Sequence, residues 1–184
     1  IWCASSTHHS EERFCAFVHK KLKKKYKNLL TIIIPRHIDR VNMIKKELEK
    51  LNLKIETFRS DKKINKDTDI YIVDAYGKTK NFYNICKNVF LGGSLINHGG
   101  QNPLEATRYG CNILHGPNVS NFSEIYDFLK KNSLSKKILN ENQMVNSLDI
   151  LLKKKSNSKK IQKKLSLIGQ KILDSTYKEI KLVL

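Results

Sequence analysis

The chain has 184 residues, of which 40% are hydrophobic and 28% are charged, and it carries a formal net charge of +18 at pH 7. The composition suffices for one packed domain and excludes an intrinsically disordered chain, while no apolar run approaches the roughly 20 residues that a transmembrane helix needs. The charge suggests an anionic partner, although lysine supplies most of it and abundant Lys, Asn and Ile are also typical of an AT-rich genome.

Strand-like and helical segments alternate along the first two thirds of the chain. The predicted strands are 1–4, 30–34, 54–58, 70–73, 89–91 and 112–114. The predicted helices are 11–25, 40–51, 80–87, 103–109 and 122–131. Because single helices separate most of the strands, we expect parallel crossover connections. The predicted fold class is therefore α/β, with a Rossmann-like doubly wound parallel sheet.

The character of the sequence changes from about residue 140. Val145, Leu148 and Leu151 mark one amphipathic helix, and Ile161 and Leu165 begin a second, longer one. A polar segment, 153–158, separates the two as a hinge. We therefore expect a Rossmann-like domain over 1–139 and a C-terminal helical extension over 140–184 that packs on it. A strand pattern that starts at the first residue, without Met, predicts that the chain is part of a longer protein.

The cysteines and histidines give no metal-binding pattern. Cys3, Cys15, Cys86 and Cys111 lie in or beside apolar clusters and form no CxxC pair. We expect them to be reduced and packed in the core. The pair His8-His9 has no third ligand nearby in the sequence. We therefore predict no metal site.

Ligands of parallel sheets bind beyond the carboxyl ends of the strands, so the loops there are the candidates for a binding site. The first loop, 5–12, has hydroxyl side chains that either cap the following helix or leave its amides open to an anion. The second places Arg36 directly after a strand. A guanidinium there suits a phosphate, and the alternative is a surface ion pair with Asp39 or another carboxylate.

Two glycine-containing loops follow. Gly77 in the segment 74–78 lets the backbone turn close to a base or sugar, although the segment also fits an ordinary surface turn. Glycine pairs precede Asn102, which fits a helix cap, and Glu105 lies three residues after it. Glu105 either closes a capping box or binds a ribose diol, while the helix N-terminus receives a phosphate. The chain has no GxGxxG or Walker pattern, which argues against a dinucleotide or P-loop ligand.

Taken in order, these loops resemble the C-terminal domain of the 3-deoxy-D-manno-oct-2-ulosonic acid (Kdo) transferases, which are GT-B-fold glycosyltransferases of lipopolysaccharide synthesis. The similarity runs from residue 1 to about 130. The segments that carry it are 6–12, Pro-Arg-His at 35–37, 74–79, Gly-Gly-Ser-Leu at 92–95, 99–105, and the pairs 116–117 and 121–122.

The resemblance implies transfer of Kdo from CMP-Kdo to a lipid A precursor, by inverting displacement at the anomeric carbon and without a cofactor. It also implies which residues bind CMP: Arg36 and the N-terminus of the helix that follows Asn102 neutralise the phosphate, and Glu105 binds the ribose. The full implied set is Pro35, Arg36, Tyr76, Gly77, Lys78, Asn102, Pro103, Leu104 and Glu105. Three departures from the family pattern affect four positions: Gln101 replaces His, Lys78 replaces Glu, and His9-Ser10 replaces Glu-Gly.

The resemblance also implies what the chain lacks. In this family the general base is a glutamate of an N-terminal acceptor domain, which this chain does not contain. We therefore expect the chain to bind CMP weakly and to transfer nothing on its own. The implied partners are CMP-Kdo, a lipid A precursor reached through the missing domain, and an anionic membrane surface. We expect the enzyme to act peripherally at the cytoplasmic face of the bacterial inner membrane, and the isolated chain to be soluble.

Other functions remain possible from the residues. One is a GT-B donor domain for another nucleotide sugar, such as a UDP-sugar, for which Lys78 leaves room. A second is an inactive remnant that serves as a basic binding module. A nucleic-acid-binding module is disfavoured, because aromatic residues are few and no basic stripe interleaves with them.

Overall fold

The computed structural model describes residues 1–155 and 157–183, and in these ranges seven strands form one sheet. The strands are β1 (Trp2–Thr7), β2 (Thr31–Pro35), β3 (Ile55–Thr57), β4 (Ile70–Ile72), β5 (Asn88–Leu91), β6 (Asn112–His115) and β7 (Ser135–Lys137). Their order is β3-β4-β2-β1-β5-β6-β7, and every neighbouring pair is parallel. The predicted doubly wound parallel sheet is confirmed.

Helices cover both faces of this sheet. They are α1 (Glu11–Lys23), α2 (Val41–Glu49), α3 (Thr79–Ile85), α4 (Leu104–Arg108), α5 (Ser123–Lys131), α6 (Glu141–Lys153) and α7 (Ser158–Val183), with 3₁₀ turns at Ile38–Arg40 and Ser120–Phe122. Side chains alternate between the faces along each strand. Ile33 packs in the same core as α1, α2 and α6, whereas its neighbours Ile32 and Ile34 pack in the core that α3 lines.

Two strands differ from the sequence-based prediction. β7 was not predicted, because Ser135–Lys137 is polar and has neither the apolar nor the alternating pattern of a strand. It pairs with β6 at the edge of the sheet, where exposed lysines are typical. β1 extends to Thr7 instead of ending at residue 4, through an irregular step at Ser6, whose φ is 55°.

The four cysteines are free and buried, as predicted. Burial raises the pKa of Cys3 and of Cys15 well above the usual value, so both thiols stay protonated. They serve as small apolar side chains of the core.

The two C-terminal helices differ in their packing. α6 packs against α1 and contributes Met144 and Leu148 to the core. α7 contacts α4 and leaves Ile172 and Tyr177 more than half exposed. The predicted hinge 153–158 lies between them, except that Ser156 lies outside the described residues. Within residues 1–155 and 157–183, no helix combines the length and the apolar character that crossing a bilayer requires.

Candidate functional site

The strand order creates a switch point at the carboxyl edge of the sheet. From β1 the chain continues to β2 on one side, whereas β5, which follows β4, lies on the other side of β1. The loops after β1 and β5 therefore leave in opposite directions and open a crevice between them. In doubly wound sheets this crevice is where ligands bind.

A buried carboxylate joins the loops on the two sides of the crevice. Glu11, at the start of α1, is 1% exposed and accepts four backbone hydrogen bonds. Its Oε2 accepts from the amides of His8 (2.9 Å) and Gly93 (2.7 Å), and its Oε1 accepts from those of Ser94 (3.1 Å) and Leu95 (3.0 Å). Sequence reasoning missed this role, since a glutamate that opens a helix is common for electrostatic reasons alone.

The glycines of the β5 loop make this close approach possible. A Cβ atom at Gly92 would lie 2.6 Å from Thr7 Cα and 2.7 Å from Glu11 Oε2, so a side chain has no room there. Ser94 Oγ accepts a hydrogen bond from the amide of Gly116 (2.8 Å), which ties in the loop after β6. These contacts hold three loops in fixed relative positions.

The adjacent carboxylate is also engaged. Glu12 is 2% exposed and accepts two hydrogen bonds from the Arg40 guanidinium, at 3.1 and 3.2 Å. Burial raises the pKa of Glu12, and the hydrogen bonds from Arg40 oppose that shift. Neither Glu11 nor Glu12 is therefore free to act as a proton acceptor. No hydroxyl side chain caps α1, because Ser10 adopts a φ of 74° and its side chain makes no capping bond.

Arg36 follows β2, as predicted, and its side chain points to solvent. Its backbone amide donates to the carbonyl of Thr7 (2.9 Å), which fixes the start of the loop. The guanidinium is exposed, and it has no carboxylate within 4.0 Å in the part of the chain that the structure describes. The alternative of an ion pair with Asp39 is therefore not observed.

The turn after β4 is exposed and open. Gly77 has a φ of 71°, a conformation that favours glycine, and a Cβ atom there would meet nothing within 4 Å. Tyr76 is 68% exposed and Lys78 is half-buried. The turn leads directly into α3, and α3 packs against α4.

α4 begins at Leu104, one residue after the predicted start. The Leu104 amide donates to Asn102 Oδ1 (3.0 Å), so Asn102 does cap the turn, and Pro103 is buried between them. The capping box does not form, because the Glu105 carboxylate accepts no hydrogen bond from Asn102. Glu105 is exposed, and among the described residues it has no hydrogen-bond or ion-pair partner.

The structure brings all the predicted nucleotide-binding residues to one edge of the sheet. They follow β4, β2 and β5, which lie in the order β4-β2-β1-β5. An apolar groove of about 610 Å³ lies farther along, between α4, α5 and α7, and of the predicted residues it contains Leu104 alone. The roles of these residues in binding stay predictions.

Three histidines and a glutamine meet beside the crevice. The His8 ring lies 4.1 Å from that of His98 and 5.7 Å from that of His37, measured between centroids. Gln101 Nε2 lies 3.4 Å from His8 Nε2. Burial, together with nearby positive groups, lowers the pKa of His8 to about 4. In residues 1–155 and 157–183, no group of three or more His, Cys, Asp or Glu side chains forms a metal-binding cluster.

No protein-family model matches the chain. Among curated proteins, it is 31% identical over 173 residues to a 3-deoxy-D-manno-octulosonic acid transferase of Haemophilus influenzae, an alignment that covers 94% of this chain and 40% of that protein. It is 30% identical over 166 residues to the transferase of Aquifex aeolicus, covering 90% of this chain and 46% of that one. A probable mitochondrial transferase of Arabidopsis thaliana is 30% identical over 156 residues, 83% of this chain and 35% of that protein.

The chain thus spans less than half the length of each of these relatives. Among solved structures, it resembles the C-terminal CMP-Kdo binding domain of WaaA from Acinetobacter baumannii with a TM-score of 0.82. That match has 24% identity and covers 91% of this chain and 88% of the solved one. The chain is therefore a relative of the 3-deoxy-D-manno-octulosonic acid transferases over about nine tenths of its length, and it has the fold of their C-terminal domain.

Proposed function

We propose that this chain is the donor-binding part of a Kdo transferase and that it binds CMP-Kdo at the carboxyl edge of its sheet. One observation carries the proposal. Arg36 and Glu105 are exposed at this edge and have no ion-pair or side-chain hydrogen-bond partner among the described residues. The buried carboxylates of Glu11 and Glu12, in contrast, are engaged by backbone amides and by Arg40. A cation and an anion left open on a CMP-Kdo-binding fold suit the phosphate and the ribose of one nucleotide.

Each proposed contact has a chemical reason. Arg36 offers a planar pair of N–H donors to the phosphate, which leaves as CMP when the sugar is transferred. The carboxylate of Glu105 accepts hydrogen bonds from the two ribose hydroxyls. The Leu104 amide already donates to Asn102, and α4 has only five residues. We therefore assign the phosphate to Arg36 and not to the start of α4.

The remaining predicted residues shape the surface between these two groups. Gly77 has a positive φ and no side chain, so the backbone of the loop after β4 can turn close to the nucleotide. The amides of this loop and the Tyr76 side chain then reach the edge of the cytosine base. Lys78 adds a second positive charge where the family pattern has Glu. Pro35 and Pro103, both buried, fix the ends of their loops.

The transfer itself needs a base that deprotonates the acceptor hydroxyl for attack on the anomeric carbon. Glu11 and Glu12 are engaged by amides and by Arg40, so neither serves. The resemblance assigns the base to an N-terminal acceptor domain. We expect this chain alone to bind donor nucleotide and to transfer no sugar. The proposed acceptor is a lipid A precursor, met at an anionic membrane surface on the cytoplasmic side.

The experiment is a calorimetric titration of the chain with CMP and, as a control, with UMP at moderate ionic strength. We expect saturable binding of CMP and at least about tenfold weaker binding of UMP, since a hydrogen-bonding site rejects a base with the wrong pattern. Arg36→Ala and Glu105→Ala should each weaken CMP binding about tenfold or more. Arg108→Ala, an exposed arginine at the far end of α4, is the matched control.

The result against the proposal is equal binding of both nucleotides that disappears as salt is added. That outcome would mean that the excess of lysine attracts anions without selection. It would also revive the idea of a basic binding module.

A further inference from the structure

The backbone at Gly93 leaves room for two of the three histidines beside the crevice, His8 and His98. Gly93 has a φ of 64°, and a Cβ atom there would lie 3.0 Å from His98 Cδ2 and 3.3 Å from His8 Nε2. The absence of a side chain at this position therefore makes room for the two rings. The Gly93 amide donates a hydrogen bond to the Glu11 carboxylate. The residue against which these two rings pack is therefore fixed by the same buried carboxylate that joins the loops.

The cluster has an excess of positive charge around it. Arg36 and Arg40 both act on His8 electrostatically, as do His37 and His98. The two nearby carboxylates, those of Glu11 and Glu12, are saturated by four amides and by Arg40 respectively. Among the described residues, no carboxylate oxygen lies within 4.0 Å of a ring nitrogen of these three histidines, whereas His19, elsewhere in the fold, has Asp69 at 3.4 Å. The cluster of three histidines therefore lacks a negatively charged partner.

The three imidazole rings differ in their exposure to solvent, and we therefore assign them different roles. His8 is 8% exposed, whereas His37 and His98 are exposed. The Gln101 amide N–H donates to His8 Nε2 (3.4 Å), so the neutral ring carries its proton on Nδ1. Because the pKa of His8 is about 4, this ring is neutral near pH 7 and supports the other two. His37 and His98 are the two rings of the cluster that a ligand can reach from solvent.

Resting on the proposed function, we propose that His8, His37 and His98 form the subsite that receives the acidic sugar of the donor, with His37 and His98 donating N–H groups to its carboxylate. In CMP-Kdo the phosphate oxygen and the carboxylate are attached to the same anomeric carbon. Arg36 immediately precedes His37 in the chain. A phosphate on Arg36 therefore brings the sugar carboxylate to the histidines, where it supplies the missing negative charge.

The subsite distinguishes the whole donor from the nucleotide alone. CMP lacks the sugar, so its affinity should not depend on the histidines. For CMP-Kdo, removal of one imidazole donor to a carboxylate should lower the affinity about tenfold or more. His98→Gln keeps an N–H donor and should recover part of the loss that His98→Ala causes.

The test is titration of the full chain with CMP and with CMP-Kdo, for the wild type and for His37→Ala, His98→Ala and His98→Gln. His9→Ala is the matched control, since His9 is exposed, adjacent to His8 and outside the ring contacts. We expect the wild type to bind CMP-Kdo more tightly than CMP. The His37→Ala and His98→Ala variants should lose that preference while they keep the wild-type affinity for CMP, which also shows that they fold.

Two results overturn the subsite and leave the proposed function in place. One is unchanged CMP-Kdo affinity in the His37→Ala and His98→Ala variants with normal CMP binding. The other is an equal loss for both ligands, which would place the histidines under the nucleotide instead of the sugar. Absence of CMP binding by the wild type would remove the proposed function, and the subsite with it.

Discussion

Two sets of polar groups lie at the carboxyl edge of the sheet and differ in whether they have hydrogen-bond or ion-pair partners within the chain. The groups of the first set, which we call the buried frame, find their partners inside the chain; they are Glu11, Glu12, Arg40, Gly92 and Ser94. Those of the second, the exposed set, have no ion-pair partner among the described residues; they are Arg36 and Glu105. The difference teaches that the frame fixes the loops, whereas the exposed set is left for a ligand. Stability and binding should therefore depend on different residues.

The largest expected effect is on the frame. Glu11→Ala leaves four backbone amides at the crevice without their acceptor, and three of them belong to the β5 loop. We expect the free energy of unfolding to fall by about 3 to 5 kcal/mol, measured by urea denaturation. Glu179→Ala, on the exposed surface of α7, is the control and should change it by less than about 0.5 kcal/mol. Equal small effects would mean that the frame does not hold the loops.

A smaller loss of stability is expected at Gly92, where two loops of the buried frame approach each other closely. Gly92→Ala places a methyl group 2.6 Å from Thr7 Cα, so the backbone must move. We expect a loss of about 2 to 3 kcal/mol in the free energy of unfolding. Gly169→Ala, in α7, meets nothing within 4 Å and should cause no loss, since alanine favours a helix. A Gly92→Ala protein of wild-type stability would contradict the close approach of the two loops.

A buried histidine away from the candidate site, His19, tests the effect of burial on stability separately from the binding of a ligand. His19 is 0% exposed, and its Nδ1 lies 2.8 Å from Thr31 Oγ1. Burial lowers its pKa from 6.5 to about 4, an effect that Asp69 opposes. Because the unfolded chain binds this proton more tightly, the contribution of His19 is present above about pH 6.5 and is lost as the pH falls toward 4.

Between pH 7 and pH 5, wild type should therefore lose about 2 kcal/mol more unfolding free energy than His19→Gln does. Urea denaturation of both proteins at the two pH values measures this difference. Parallel losses in the two proteins would show that His19 does not titrate as its burial requires.

The sequence predicted the exposed set better than the frame. The alternation of apolar runs gives the parallel sheet, and the position of Arg36 directly after a strand gives its place at the edge. The role of Glu11 depends on amides more than 80 residues away along the chain, which local pattern does not reveal. The contact between His98 and His8 also joins residues that are far apart in the sequence, so local pattern does not reveal it either. β7 escaped prediction because its stability comes from pairing with β6 and not from its polar residues.

The central claim is that the exposed set binds the nucleotide without holding the fold. It is tested most directly by urea unfolding of wild type and Arg36→Ala, each with and without CMP at about 100 times the dissociation constant. Wild type should gain about 2.7 kcal/mol from the ligand. Arg36→Ala should unfold at the wild-type free energy without CMP and gain much less at the same concentration of CMP. An Arg36→Ala protein that is destabilised without ligand, or that CMP stabilises as strongly as wild type, would contradict the claim.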